Sequence, residues 1–381
     1  MSETVFSPNQ LTDFDFHSRT RVVCGENSID RLGNLAAELS AKRALVVTDP
    51  GIVSAGHVER WLQSLKNAGL ECNVFDGARE NPTTEDVESG LVVAKSYQPD
   101  LLIGLGGGSS MDCAKGINFL YSCGGTMHDY WGVGKATSDM LPMIAVPTTA
   151  GTGSELQSFA LISDAKTHVK MACGDKRASC KVAILDPCLT ITQPPLVTAL
   201  TAVDALSHAV ETFVTTKRNP ISTLFSRESF RLLTGNFETV FSDPNNIDAR
   251  AGMQLGAALG GLAIENSMLG ASHALANPLT ATYGIAHGQA VGAMLPHVVR
   301  FNGLEFEDLY VDLSGNSSLE LADDLTRLIE SAGLKSRLSD LSVESDRLPE
   351  LAEAAAKQWT GNFNPRPVGQ SELLQIYNSA L

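Results

Sequence analysis

Asp100-Leu-Leu-Ile-Gly-Leu105-Gly106-Gly107-Gly108-Ser109-Ser110-Met111-Asp112-Cys113-Ala114-Lys115 is the stretch that decides the fold. Its first six residues, apolar after Asp100, have the length of a buried strand. Three glycines follow, and a helix is expected over about residues 110–120. Without Cβ atoms, a backbone can lie against a pyrophosphate. The helix start behind it offers unpaired N–H groups and a positive dipole end. Lys115, in the second turn, supports either the anion or the packing of the helix. The spacing is not the ordinary G-x-G-x-x-G, because the third glycine is missing. The plain alternative is a tight turn of small residues.

The flanking segments repeat the pattern. Upstream, residues 43–48 read as a strand ending at Asp49-Pro50-Gly51. Residues 57–68 have helical periodicity and stop at Gly69, and residues 71–75 read as a strand. Residues 84–97 form a helix with an acidic first turn, and Pro99 follows it. Downstream, residues 141–146 are a strand ending at Pro147-Thr148-Thr149. Strands alternating with helices imply a parallel α/β sheet. Asp49 at a strand end can accept hydrogen bonds from an adenosine ribose and repel a 2′-phosphate, which favours NAD over NADP. A turn aspartate in Asp-Pro-Gly is the alternative. Pro147-Thr-Thr-Ala-Gly-Thr-Gly-Ser-Glu155 is a second polar, glycine-rich loop after a strand. Ligands of open α/β sheets bind at carboxyl strand ends, so the two loops point to one nucleotide site.

The character changes near Thr190, and Gln193-Pro194-Pro195 reads as a boundary. Beyond it, helices are expected over residues 195–215, 221–239, 248–267, 272–280, 288–301, 318–332 and 347–358, with no strand. The expected architecture is an α/β dinucleotide-binding domain over residues 1–193 and an all-helical metal-binding and substrate domain over residues 194–381.

Bulk properties agree with a soluble enzyme. The 381 residues are 43% hydrophobic and 19% charged, a length that suits two domains. The formal net charge is -15, which disfavours nucleic acid and anionic membranes as partners. There are seven cysteines, spread out and without a CxxC pair, so reduced thiols in a cytoplasmic protein are expected, most of them buried packing residues. The N-terminal MSETVFSPNQ has no basic n-region and no apolar h-region, so no secretory signal is expected. The apolar stretch at residues 255–264 is far short of the roughly 20 residues a membrane span needs.

Asp204 and His208 are four apart on an expected helix and share one face. His273 starts a later helical stretch, and His287 follows in Ile285-Ala286-His287-Gly288. Three imidazoles and one carboxylate suit Zn²⁺ or Fe²⁺ better than Mg²⁺ or Ca²⁺. Spacing alone leaves a chance helix-surface pair open. His17, His57, His128 and His168 are read as surface or loop residues, and His297 as a candidate for bordering the site.

Together these segments resemble the iron-containing alcohol dehydrogenase family over nearly the whole chain. The resemblance rests on residues 106–115, Pro147–Glu155, Asp204-Ala-Leu-Ser-His208-Ala-Val-Glu211, His273-Ala-Leu-Ala-Asn-Pro-Leu279, His287-Gly288 and the closing Asn364-Pro365-Arg366-Pro367. It implies a dehydroquinate-synthase-like fold with the active site between the domains. It also implies Asp204, His208, His273 and His287 as ligands of one divalent metal, Fe²⁺ or Zn²⁺. Cofactor positions carry over to Asp49, Asn81, Gly106, Gly107, Gly108, Ser109, Asp112, Thr148, Thr149, Thr152, Lys170 and Val197. Phe159, Ile264 and Trp359 fall on substrate-pocket positions, which suits an apolar or compact substrate. One departure stands out: the family commonly has a proton-relay histidine where this chain has Asn277, and asparagine cannot titrate near neutral pH.

The activity so implied is NAD(H)-linked oxidation of a small primary alcohol, or reduction of its aldehyde, by metal-polarised hydride transfer. The partner is then a small molecule, and the chain a homo-oligomer, a dimer or larger. Competing readings are a glycerol dehydrogenase- or maleylacetate reductase-like enzyme of the same fold, a reductase for an aldehyde carrying an anionic group, a metal-dependent hydrolase, and a relative that binds NAD or metal without catalysis.

Overall fold

The computed structural model describes residues 13–381. The N-terminal stretch read for a secretory signal therefore lies outside the described residues. Nine strands come first: β1 (Arg21–Cys24), β2 (Arg43–Val47), β3 (Glu71–Phe75), β4 (Leu101–Gly106), β5 (Gly132–Val133), β6 (Met143–Pro147), β7 (Phe159–Ser163), β8 (Lys170–Gly174) and β9 (Val182–Leu185). Among them run helices α1 (Leu32–Glu38), α2 (Pro50–Ser54), α3 (His57–Asn67), α4 (Thr84–Tyr97) and α5 (Gly108–Cys123). After β9 come α6 (Pro195–Val214), α7 (Pro220–Ser242), α8 (Ile247–Glu265), α9 (Ala271–Tyr283), α10 (His287–Ser314), α11 (Ser318–Ser331), α12 (Leu348–Ala356) and α13 (Gln370–Ala380). No strand follows β9 among the described residues. Among the described residues no helix is long and apolar enough to cross a membrane.

Six strands form one parallel sheet in the order β1-β9-β6-β4-β2-β3. All six residues of β4 are buried, as expected of a central strand with helices on both faces. From β2 the chain steps outward to β3, then returns to place β4 on the other flank of β2. The reversal leaves a crevice where the carboxyl ends of β2 and β4 meet, the switch point at which such sheets bind ligands. A second sheet, β5-β8-β7, pairs β7 antiparallel with β8.

Local signals explain most element ends. Thr83 and Asp86 form a capping box that starts α4, and Asn219 caps α7, with Pro220 in its first turn. The structure adds elements the sequence reading lacks: β1, α1, α2, β5, the β7–β8 pair, β9 and α13. It also carries α10 on to Ser314, across a non-helical residue at Phe306. The cysteine expectation is corrected: only Cys113, Cys173 and Cys180 are buried, and all seven are free thiols.

Candidate functional site

Three helices bring the four metal candidates together. Asp204 and His208 lie one turn apart on α6, both buried, and His273 sits buried in the first turn of α9. His287 opens α10. The next residue must be glycine: a Cβ on Gly288 would stand 2.1 Å from the Leu200 carbonyl oxygen of α6. That close approach sets His287 beside Asp204. The Oδ1 atom of Asp204 is 3.4 Å from His208 Nε2, 3.6 Å from His273 Nε2 and 3.7 Å from His287 Nε2. Four donors held about 2.1 Å from a tetrahedral metal lie about 3.4 Å apart, so these spacings fit. Buried polar atoms are normally paired, yet Asp204 Oδ1 and His273 Nε2 have no hydrogen-bond partner. Asp204, His208 and His273 form the tight buried group, and His287 is the more exposed member, at 27% of its side chain.

A fifth residue holds this arrangement, and the sequence reading assigned it no role. Glu211 is buried on α6. Its carboxylate is 2.5 Å from His273 Nδ1 and accepts from the Ser272 amide at 2.6 Å. A carboxylate on the far nitrogen of a ligand histidine fixes its tautomer and orientation. Positions 204, 208 and 211 follow i, i+4, i+7 spacing, which puts all three on one helical face. That periodicity was the available signal.

The charges are consistent with a cation site. Burial pushes the Asp204 carboxyl up, but His208 and the two other imidazoles outweigh it and bring it well below the usual range. Burial also pulls His273 down, but the Glu211 and Asp204 carboxylates overcome it and raise the ring to about 9. His287 is held down at about 3 by burial, only partly offset by Asp204. Two ionised carboxylates in a buried pocket with nitrogen donors attract a divalent cation.

The nucleotide candidates gather at the switch point. Asp49 lies two residues past the end of β2 and caps α2 through the Ile52 amide, at 3.1 Å. Its other oxygen accepts from Ser110 Oγ of α5 at 3.0 Å. Gly106 has φ +141°, and a Cβ there would meet Ser110 Oγ at 2.5 Å and Asp49 Oδ2 at 2.9 Å, so only glycine passes between them. The loop after β6 faces the glycine loop: the Thr148 amide bonds the Gly106 carbonyl at 2.9 Å. Thr152 lies against Gly108, and Thr149 against Gly107. Ser109, Asn81 and Lys170 form one chain: the Asn81 amide donates to Ser109 Oγ (3.3 Å), and Lys170 Nζ donates to Asn81 Oδ1 (3.2 Å). Lys170 is exposed, yet near enough to Asp204 and His287 to interact with their charges. Val197 is half-buried in the first turn of α6, two turns before Asp204.

Two polar groups face inward. Asp112 is buried, accepting from Ser154 Oγ at 2.6 Å and the Leu161 amide at 3.2 Å. Lys115 is fully buried and donates to the Ser154 carbonyl and hydroxyl and to the Gln157 and Phe159 carbonyls, at 2.7–2.9 Å. Of its two readings, packing is the one these bonds support. His297 bonds Ser379 of α13 at 3.1 Å. On the substrate side, the Phe159 and Trp359 rings lie 6.5 Å apart, and Ile264 is buried on α8. Asn277, one turn beyond His273, donates to Gln358 Oε1 at 3.0 Å.

A crevice at the switch point of the sheet and, on the helices, an Asp204, His208, His273 and His287 cluster with the spacing of a metal site are the features that nucleotide-linked metal chemistry would use. Comparison with known proteins gives the family. The model for "Iron-containing alcohol dehydrogenase" matches residues 19–187, and that for "Fe-containing alcohol dehydrogenase family, C-terminal" matches residues 198–381. The chain is 34% identical to 1,3-propanediol dehydrogenase of Klebsiella pneumoniae, over 93% of this chain and 96% of that one. It is 31% identical to NAD-dependent methanol dehydrogenase of Bacillus methanolicus, over 94% and 97%. A crystal structure of 1,3-propanediol oxidoreductase superposes with a TM-score of 0.92 at 34% identity, covering 97% of this chain and all of that one. The chain belongs to the iron-containing alcohol dehydrogenase family. It is an oxidoreductase, an alcohol dehydrogenase with that family's fold.

Proposed function

We propose that the chain oxidises a small primary alcohol with NAD, and reduces the corresponding aldehyde with NADH, using one Fe²⁺ or Zn²⁺ held by Asp204, His208, His273 and His287. The observation that carries this reading is the unpaired, buried Asp204 Oδ1, ringed by three Nε2 atoms at 3.4–3.7 Å. When bound, the metal polarises the substrate oxygen, and the nicotinamide exchanges the hydride.

The chain's own residues do the rest. Asp204 and Glu211 supply negative charge, and Glu211 orients His273. Gly106, Gly107, Gly108 and Ser109, with the start of α5, receive the pyrophosphate, and Asp112 braces that helix from inside. Thr148, Thr149 and Thr152 form the facing wall. Asp49 accepts from the adenosine ribose and disfavours a 2′-phosphate, in keeping with the NAD dependence named for the methanol dehydrogenase relative. Lys170 would contact the nicotinamide ribose, Val197 would lie near the nicotinamide or its ribose, and the Asn81 loop would lie near the cofactor. Phe159, Ile264 and Trp359 line the substrate side and favour a compact or apolar substrate. Asn277, held by Gln358, cannot relay a proton by titration, so either water and the ribose hydroxyls carry it or Asn277 marks a subgroup with a different substrate.

The proposed domains divide at residues 193 and 194, between the two family matches. Seven free thiols suit a reducing cytoplasm, and a homo-oligomer, dimer or larger, is the proposed assembly. The test is NADH oxidation with a panel of short aldehydes after Fe²⁺ or Zn²⁺ is restored, with NADPH in parallel. Turnover with NADH and little with NADPH is expected. No turnover of any aldehyde by the metal-loaded protein would overturn the reading.

A further inference from the structure

The closing Asn364-Pro365-Arg366 segment lies outside the site described above, yet it touches all three helices that carry the metal candidates. Its contacts with α6 come first. The Phe363 carbonyl accepts from the Thr216 amide at 2.9 Å, Thr215 Oγ1 at 3.0 Å and Thr216 Oγ1 at 3.2 Å. Thr215 caps the end of α6, the helix of Asp204, His208 and Glu211.

Its contact with α9 is at the turn that holds His273. That helix has glycine, Gly270, at its N-cap and no side-chain cap of its own. The first N–H groups of a helix need outside acceptors. Here they come from distant residues: Asn364 Oδ1 accepts from the Ala271 amide at 3.4 Å, and Glu211 accepts from Ser272 at 2.6 Å.

On α10, the helix that His287 opens, Asn364 and Asn302 form a reciprocal amide pair at 2.7 and 3.1 Å. Asn302 also donates to Tyr310 Oη at 3.1 Å. Arg366 donates to the Phe301 carbonyl at 2.8 Å, and its guanidinium stacks 3.9 Å over the Phe301 ring. Asn364, Asn302 and Tyr310 are exposed by 4%, 1% and 1%. In such burial each amide keeps a fixed orientation, because a lost partner costs its full desolvation.

We infer that Asn364 and Asn302 are positioning residues for the metal site: with the Phe363 carbonyl and Arg366 they clamp α6, α9 and α10 in the register that brings Asp204, His273 and His287 together. The inference rests on the metal reading proposed above. It explains why a segment 77 residues beyond His287 (364 minus 287) belongs to the site's architecture.

The test uses the full chain, stripped of metal and titrated with chelator-buffered Co²⁺, with the visible Co²⁺ bands recorded. Asn364→Ala should bind Co²⁺ about 10–100-fold more weakly, the range for loss of a residue supporting a ligand, and shift the bands. Asn302→Ala should do the same. Asn118→Ala is the control: that amide is equally buried but bonds only Leu141 and Ser122. It should lower the melting temperature and leave Co²⁺ affinity and bands unchanged. Thr215→Val, which removes a single hydroxyl from the clamp, should fold and show a smaller loss in the same direction. Wild-type affinity and bands in Asn364→Ala, or in Thr215→Val should both asparagine variants fail to fold, would overturn the clamp. If Asp204→Asn bound Co²⁺ as the wild type does, the metal reading itself would fail, so the two failures are distinct.

Discussion

Replacing Glu155 by glutamine should abolish a specific pH dependence of stability. Glu155 ends the loop that faces the glycine loop and is 3% exposed. Burial raises its carboxyl from 4.5 to about 7, only partly offset by a backbone hydrogen bond and by Lys115. Below pH 4.5 the group is protonated in both folded and unfolded chains and costs nothing. Between 4.5 and about 7 the unfolded chain ionises first, so stability falls as pH rises, by about 1.4 kcal/mol per unit. Above pH 7 the accumulated loss is about 3 kcal/mol, since each pH unit between the two pKa values contributes about 1.4 kcal/mol. At about 2.1 cal/mol/K per residue, 381 residues unfolding together give an entropy near 0.8 kcal/mol/K, so the loss is worth about 4 °C. Glu155→Gln stays neutral throughout. Calorimetry from pH 5 to pH 8 should show the variant gaining on the wild type with rising pH and leading by about 4 °C at pH 8. Parallel curves for the two proteins would refute the reasoning.

Three further outcomes follow from the site. Glu211→Gln replaces two charge-assisted hydrogen bonds, at 2.5 and 2.6 Å, by neutral ones, and metal affinity in a chelator-buffered titration should fall about 10–100-fold; unchanged affinity would remove its orienting role. Gly108→Ala puts a Cβ 2.6 Å from Thr152 Oγ1 in the nucleotide crevice. NADH binding, read by fluorescence transfer, should weaken at least about tenfold with metal content intact, and wild-type binding would move the nucleotide elsewhere. Asp49→Ser removes the carboxylate beside the glycine loop, so the NADH-over-NADPH preference in kcat/KM should shrink about tenfold or more; an unchanged ratio would take the selectivity away from Asp49.

Much of the fold was legible because local chemistry marks it. The apolar run of β4 ends in glycines, and α4 and α7 start at capping residues, so their limits were read within two or three residues. The short β1 and the β7–β8 pair were missed because their residues alternate weakly and only pairing with distant partners makes them strands. Asp204 and His208 were readable as a one-turn pair. Their meeting with His273 and His287 came from the resemblance and not from spacing, since it depends on a helix contact permitted by Gly288. Glu211 could have been found from its place on the same face. The role of Lys115 could not, because its four acceptors come from a loop about 40 residues on.

The central claim is that Asp204, His208, His273 and His287 hold one divalent metal that the reaction needs. Elemental analysis of the purified protein, beside Asp204→Asn and His273→Ala, tests it most directly. The account predicts about one Fe or Zn per chain in the wild type, and loss of both metal and aldehyde reduction in each variant. Full metal content and full activity in either variant would contradict it.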